Sequence, residues 1–123
     1  MKKVNFVLIA IFLLASSFGC QNSTDPNIEE EIKNVSVSSS EVFEFKTGVS
    51  GDEEVVTIEE QPKNYEVSTI VRDSTTNWEA VYQYQSESGF QGSDYAEIKI
   101  GTGSDGASPN ENITLIKLNI TVN

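Results

Sequence analysis

From Glu41 to Asn123 apolar and polar residues alternate with a period of two, and this limits what the chain can become. Phe43 and Phe45 alternate with Glu44 and Lys46, and Val56 and Ile58 alternate with Val55 and Thr57. Tyr65, Val67, Thr69 and Val71 share one parity, as do Trp78, Ala80, Tyr82 and Tyr84. Ala96, Ile98 and Ile100 alternate with Glu97 and Lys99, and Ile116, Leu118, Ile120 and Val122 alternate with Lys117, Asn119 and Thr121. Successive side chains of a strand point to opposite faces, so this pattern marks strands with one face buried and one in water. Turn-forming residues separate the runs: Gly48 with Ser50-Gly51-Asp52, Gln61 to Asn64, Asp73 to Asn77, Ser88-Gly89, and Gly101 to Asn110. The spacing predicts an all-β chain, a small antiparallel β-sandwich of six to seven strands over residues 41–123. Ile113 and Leu115 have the opposite parity to Ile116 onward, which predicts a β-bulge near Leu115-Ile116.

Composition removes several functions. The chain has 123 residues, which fits one domain, with no His and one Cys. A Cys/His zinc site, a Ser-His-Asp triad and a Cys-His pair are therefore excluded within one chain, and so is an internal disulfide. With 8 basic against 19 acidic residues the net charge is −11. Nucleic acid requires a basic footprint, so it is not an expected partner.

The N-terminus carries an address. Met1-Lys2-Lys3 is followed by an apolar run from Val4 to Ala15, broken only by Asn5, and then by Ser16-Ser17-Phe18-Gly19-Cys20. The parts are those of a secretory signal, and the apolar run is too short to span a bilayer. Ser17-Phe18-Gly19-Cys20 resembles a bacterial lipobox. The resemblance implies cleavage after residue 19 and a lipid on Cys20, with localisation in the cell envelope. Two or three acyl chains anchor durably where one does not. Cleavage removes Lys2 and Lys3 and no acid, leaving 6 basic against 19 acidic residues, a net of −13. Anionic headgroups would repel such a chain, so the lipid itself must hold it. Gln21 stands where an Asp would resemble an inner-membrane retention signal, so the outer membrane is expected, on its periplasmic or surface face. Asp25 and Glu29-Glu30-Glu31 resemble the acidic export signals of Bacteroidota lipoproteins, and they also read as a solvated linker. The polar, Ser-rich stretch 20–40 is expected as a flexible tether with room for one helical turn, Asp25 as its cap, Pro26 at its first position and Ile28 and Ile32 four apart.

The segment Tyr82-Gln83-Tyr84-Gln85-Ser86-Glu87-Ser88-Gly89-Phe90-Gln91-Gly92-Ser93-Asp94 resembles the Y-x-Y-x-P-x-x-G-F-x-G-x-D signature of bacterial Ig-like and cadherin-like domains. Val56 to Asn64 resembles the strand and Q-P turn of that family, and Asp105-Gly106 its D-G hairpin. Ser86 stands where the family usually has Pro, and Tyr65 where it usually has Gly. The resemblance covers residues 41–123 and implies an Ig-like Greek-key sandwich. Tyr82, Tyr84, Gly89, Phe90, Gly92 and Asp94 are then structural. Gly89 and Gly92 permit a tight approach, Phe90 buries its ring under the loop, and Asp94 accepts backbone hydrogen bonds at the start of a strand.

Other candidates are weighed against simpler readings. The acidic runs are expected as solvated faces, so no catalytic residues are assigned and no enzyme is expected. Asp52, Glu53, Asp94 and Asp105 are weak calcium candidates without the ligand density of a loop site; no metal or other cofactor is expected. Trp78, Tyr82 and Tyr84 read as a core stripe before a sugar platform, and Tyr95 reads as outward-facing. The expected organisation is a signal peptide at 1–19, a tether at 20–40 and a sandwich at 41–123, monomeric by default. The expected function is a non-enzymatic surface binding or adhesion module for a protein or glycan. The alternatives are an accessory subunit of an envelope complex and a carbohydrate-binding lipoprotein.

Overall fold

The computed structural model describes residues 25–123. The signal segment, Cys20 and the first part of the tether lie outside the described residues. Seven strands follow in order: β1 Asn27–Val37, β2 Phe43–Lys46, β3 Val55–Glu60, β4 Tyr65–Val71, β5 Val81–Ser86, β6 Gly92–Thr102 and β7 Asn112–Val122. They form two sheets, β1-β7-β6-β3 and β2-β5-β4. The division of β3, β6 and β7 from β2, β4 and β5 is that of an immunoglobulin-type sandwich, with the first strand on the free edge of β7. The all-β class and the sandwich follow the alternation read from the sequence.

The core lies between the sheets. Ala96, Ile98 and Ile100 from β6 and Ile116, Leu118, Ile120 and Val122 from β7 meet Tyr82 and Tyr84 from β5. Burying each large apolar side chain contributes roughly 1.5–3 kcal/mol before conformational entropy is charged against it.

Four expectations are corrected. First, the stretch 27–37 is not a tether and has no helical turn: it is β1, paired in parallel with β7 over its whole length, from Asn27 opposite Asn112 to Val37 opposite Val122. The sandwich therefore begins at Asn27 and not at 41. Ladder hydrogen bonds make this strand; only Val37 is buried, and Ile28 and Ile32 are 61% and 65% exposed. Second, β7 has no bulge, since its register with β6 runs unbroken from Gly92–Val122 to Thr102–Asn112. β7 is central, so a bulge would disrupt two ladders. Ile113 and Leu115 instead face outward, half-buried. The register shifts fall at Ile58/Glu60 and Tyr65/Val67, on both sides of the turn between β3 and β4. Third, β4 turns its other parity inward: Ser68 and Ile70 lie opposite the buried Tyr84 and Tyr82, so Val67, Thr69 and Val71 face out. Fourth, Trp78 is not in the core. It precedes β5 in a loop, 60% exposed, with φ +64°. Asn77 and Trp78 are both left-handed, which reverses the chain and breaks the parity continuous with Ala80.

Candidate functional site

Three regions collect the chemistry. The first is a buried polar hub at the end where β3 crosses to β4. Asp94 opens β6, and its side chain is buried. Its Oδ1 accepts from the backbone N–H groups of Lys63 (2.8 Å) and Tyr95 (2.9 Å). Its Oδ2 accepts from the N–H of Asn64 (2.9 Å) and the hydroxyl of Tyr84 (3.1 Å). One carboxylate thus holds the β3–β4 crossing and joins the two sheets through β5. Such charge-assisted bonds are stronger than neutral ones. Burial first, and then the bond to Asp94, push the Tyr84 phenol well above the usual range. Tyr82 is pushed up to about 12, chiefly by burial, while its bond to Ser68 (2.9 Å) opposes the shift.

The segment Gly89-Phe90-Gln91-Gly92 leads into this hub. Gly89 and Gly92 have φ of +80° and +137°, which L side chains rarely adopt. Phe90 is half-buried and packs against the core. The buried Ser86 donates to the carbonyl of Ser39 (3.4 Å). Beside the hub, on the outer face of the larger sheet, lies a shallow polar groove of about 440 Å³ lined by Gln61, Lys63, Ser93, Tyr95 and Asn119. Tyr95 donates to Glu97 (3.0 Å), and Asn119 bonds to Asn34 on β1 (3.0 Å).

The second region is the opposite end, formed by the loops β2–β3, β4–β5 and β6–β7. Arg72 ties the first two together. Its Nε donates to the carbonyl of Trp78 (3.1 Å), Nη1 to that of Glu54 (3.1 Å), and Nη2 to that of Gly51. Asn110 ties in the third by donating to the carbonyl of Glu53 (3.2 Å). Asp73 caps the 3-10 turn at Ser74–Thr76, and Thr76 reciprocates to its backbone. These bonds hold Trp78 outward on a strained backbone. Sequence reasoning placed Trp78 in the core because it follows parity alone; Asn77, a residue that tolerates the left-handed region, was the available signal for the break.

The third region is the free edge of β1. Glu29, Glu30 and Glu31 sit on it between Ile28 and Ile32. Glu30 pairs with Lys117 (2.9 Å) and Glu31 with Lys33 (2.9 Å), both near the surface, where such pairs contribute little.

The weak calcium candidates are not brought together. Asp94 spends both oxygens on the hub. Asp105 accepts from the N–H groups of Ala107 and Ser108 and the hydroxyl of Ser108 within its own turn. Glu53 lies against Gly106, and Asp52 is exposed in the β2–β3 loop. Among the described residues no group of three or more His, Cys, Asp or Glu is placed to hold a metal.

No protein-family model matches the chain, and no curated protein matches it. Among solved structures it is similar to a cysteine protease inhibitor from Entamoeba histolytica, at 11% identity and a TM-score of 0.40 over 80% of this chain and 100% of that one. Likeness at that level transfers no function.

Proposed function

We propose that this chain is a lipid-anchored protein of the cell envelope that works by binding and not by catalysis. The lipid on Cys20 fixes it to a membrane, and the sandwich carries the contact surface. The observation that supports this reading best is the free edge of β1: eleven residues of strand, hydrogen-bonded to β7 on one side and, among the described residues, to no strand on the other. An extended segment of another protein can add there, its main chain supplying affinity and its side chains specificity. The three glutamates oppose pairing of this edge with a second copy of itself. They favour a basic segment whose apolar residues meet Ile28 and Ile32. Displayed outside the cell, such an edge makes an adhesion module. Facing inward, the same edge makes an accessory subunit of an envelope complex, which is the second reading.

Two experiments test this. Protease treatment of intact cells, with lysed cells as control, separates the readings: loss of the domain in intact cells supports display, and survival until lysis supports the accessory role. A synthetic peptide of alternating lysine and valine is then titrated against the wild type and against a Glu29→Lys/Glu31→Lys variant. Binding to the wild type that is lost on charge reversal is expected. Equal binding to both would remove the edge as the contact.

A further inference from the structure

We infer that the loop end carrying Trp78 faces the bilayer that anchors the chain, and that Trp78 rests at its headgroup level. The inference rests on lipidation of Cys20. Its geometry comes from β1. Asn27 begins that strand opposite Asn112, and its N–H donates to the carbonyl of Glu111 (2.8 Å), so the chain enters the sandwich beside the β6–β7 loop. The loops β2–β3 and β4–β5 lie at the same end, tied to one another through Arg72 and to the third through Asn110.

Six residues, Gln21 to Pro26, separate Cys20 from Asn27. Fully extended, the steps from Cys20 to Asn27 reach roughly 24 Å. The eleven residues of β1 span roughly 35 Å. The connection is thus shorter than the sandwich is long. Inverting the domain would push its far end, with the Asp94 hub, into the hydrocarbon. The inverted pose is thereby excluded, and the loop end stays within roughly 24 Å of the anchor.

What the loop end shows the membrane suits an interface. The chain's only tryptophan stands there, 60% exposed on a positive-φ backbone. Tryptophan has an apolar ring and one N–H donor, the combination that settles at headgroup depth. Across the outer face of the larger sheet, the row nearest this end is Ile28, Ile113, Gly101 and Val55, one residue from each strand and none of them charged. Asp52, Glu53, Asp73, Asp105 and Glu111 are exposed at the same end, so the fitting surface is a neutral lipid face and not an anionic one.

The single tryptophan makes the test direct. The full lipidated protein is reconstituted in phosphatidylcholine vesicles, with and without a nitroxide label at the headgroup end of the acyl chain. Flotation reports anchoring, and Trp78 emission reports contact. The wild type should float and lose emission by roughly two-fold with the labelled lipid. A Cys20→Ser variant should stay in solution and keep its emission. In a Trp78→Phe/Tyr95→Trp variant the reporter moves seven residues along β6, roughly 23 Å from the loop end, and its emission should persist. A floating wild type whose Trp78 is quenched by aqueous iodide and not by the labelled lipid would overturn the inference and leave the anchor standing; the loop end would then be free for a protein partner. Equal quenching at both positions would overturn it as well, since the domain would lie flat. A wild type that does not float would remove the anchor, and the inference with it.

Discussion

Replacing Asp94 by Asn tests whether one carboxylate holds the crossing between the sheets. The wild-type group accepts four hydrogen bonds, three from backbone N–H groups and one from Tyr84. An asparagine keeps one acceptor oxygen and must put its NH2 in place of the other. The least costly orientation aims that NH2 at Asn64 and Tyr84, because a phenol can rotate to accept and a backbone N–H cannot. The N–H of Asn64 is then left without a partner, at about 1–3 kcal/mol, and the remaining bonds lose their charge assistance. We expect Asp94→Asn to cost about 3 kcal/mol in all. In a domain of this size that lowers Tm by roughly 12–24 °C. Tyr84→Phe removes only the donor and leaves Asp94 with three others, so about 1 kcal/mol is expected. Urea unfolding followed by tyrosine fluorescence, in a Trp78→Phe background that removes the exposed indole, measures both. A cost below about 1 kcal/mol for Asp94→Asn, or equal costs for the two variants, would refute the reasoning.

Three further outcomes are expected. Tyr82 and Tyr84 hold their protons more tightly folded than unfolded, so their contribution is intact below about pH 10 and lost as pH rises toward 12; base titration should show their tyrosinate absorbance appearing together with unfolding, and its appearance in a still-folded chain would contradict their burial. Trp78→Gly relieves a left-handed backbone and gives up a mostly exposed ring, so thermal unfolding should find stability unchanged or raised by up to about 1 kcal/mol; a clear loss would mean the ring packs. Ile98→Ala empties a fully buried site at the centre of β6 and should cost about 3 kcal/mol by denaturant titration, with a cost near that of a surface change counting against the core described above.

The strands that the sequence disclosed are those whose stability comes from burying one face. Ala96 to Ile100 and Ile116 to Val122 are central, and their alternation is the burial pattern itself. β1 escaped because little of it is buried. Its isoleucines face out four residues apart, imitating a helical turn, while the ladder to β7 that makes it a strand leaves no mark on residue type. β4 misled because a serine takes an inward place, made tolerable by its bond to the Tyr82 hydroxyl. Asp94 was legible because a short acid after a glycine pair, at the head of an alternating run, has few other uses. The clamp made by Arg72 was not legible, since its acceptors are backbone carbonyls, two of them about twenty residues away, and carbonyls belong to every residue.

The parallel pairing of the first and last strands also decides how the molecule bears load. Asn27 lies at one end of the sandwich and Asn123 at the other, and β1 and β7 run side by side between them. Tension applied between these two residues pulls the strands past each other along their axes. All the ladder bonds between them are then strained at once, in shear, and none can open first as in a peeling hairpin. A chain held at its N-terminal side and pulled at Asn123 should therefore resist force far better than its modest size implies, with a rupture rate set by the unfolding barrier and not by the equilibrium stability.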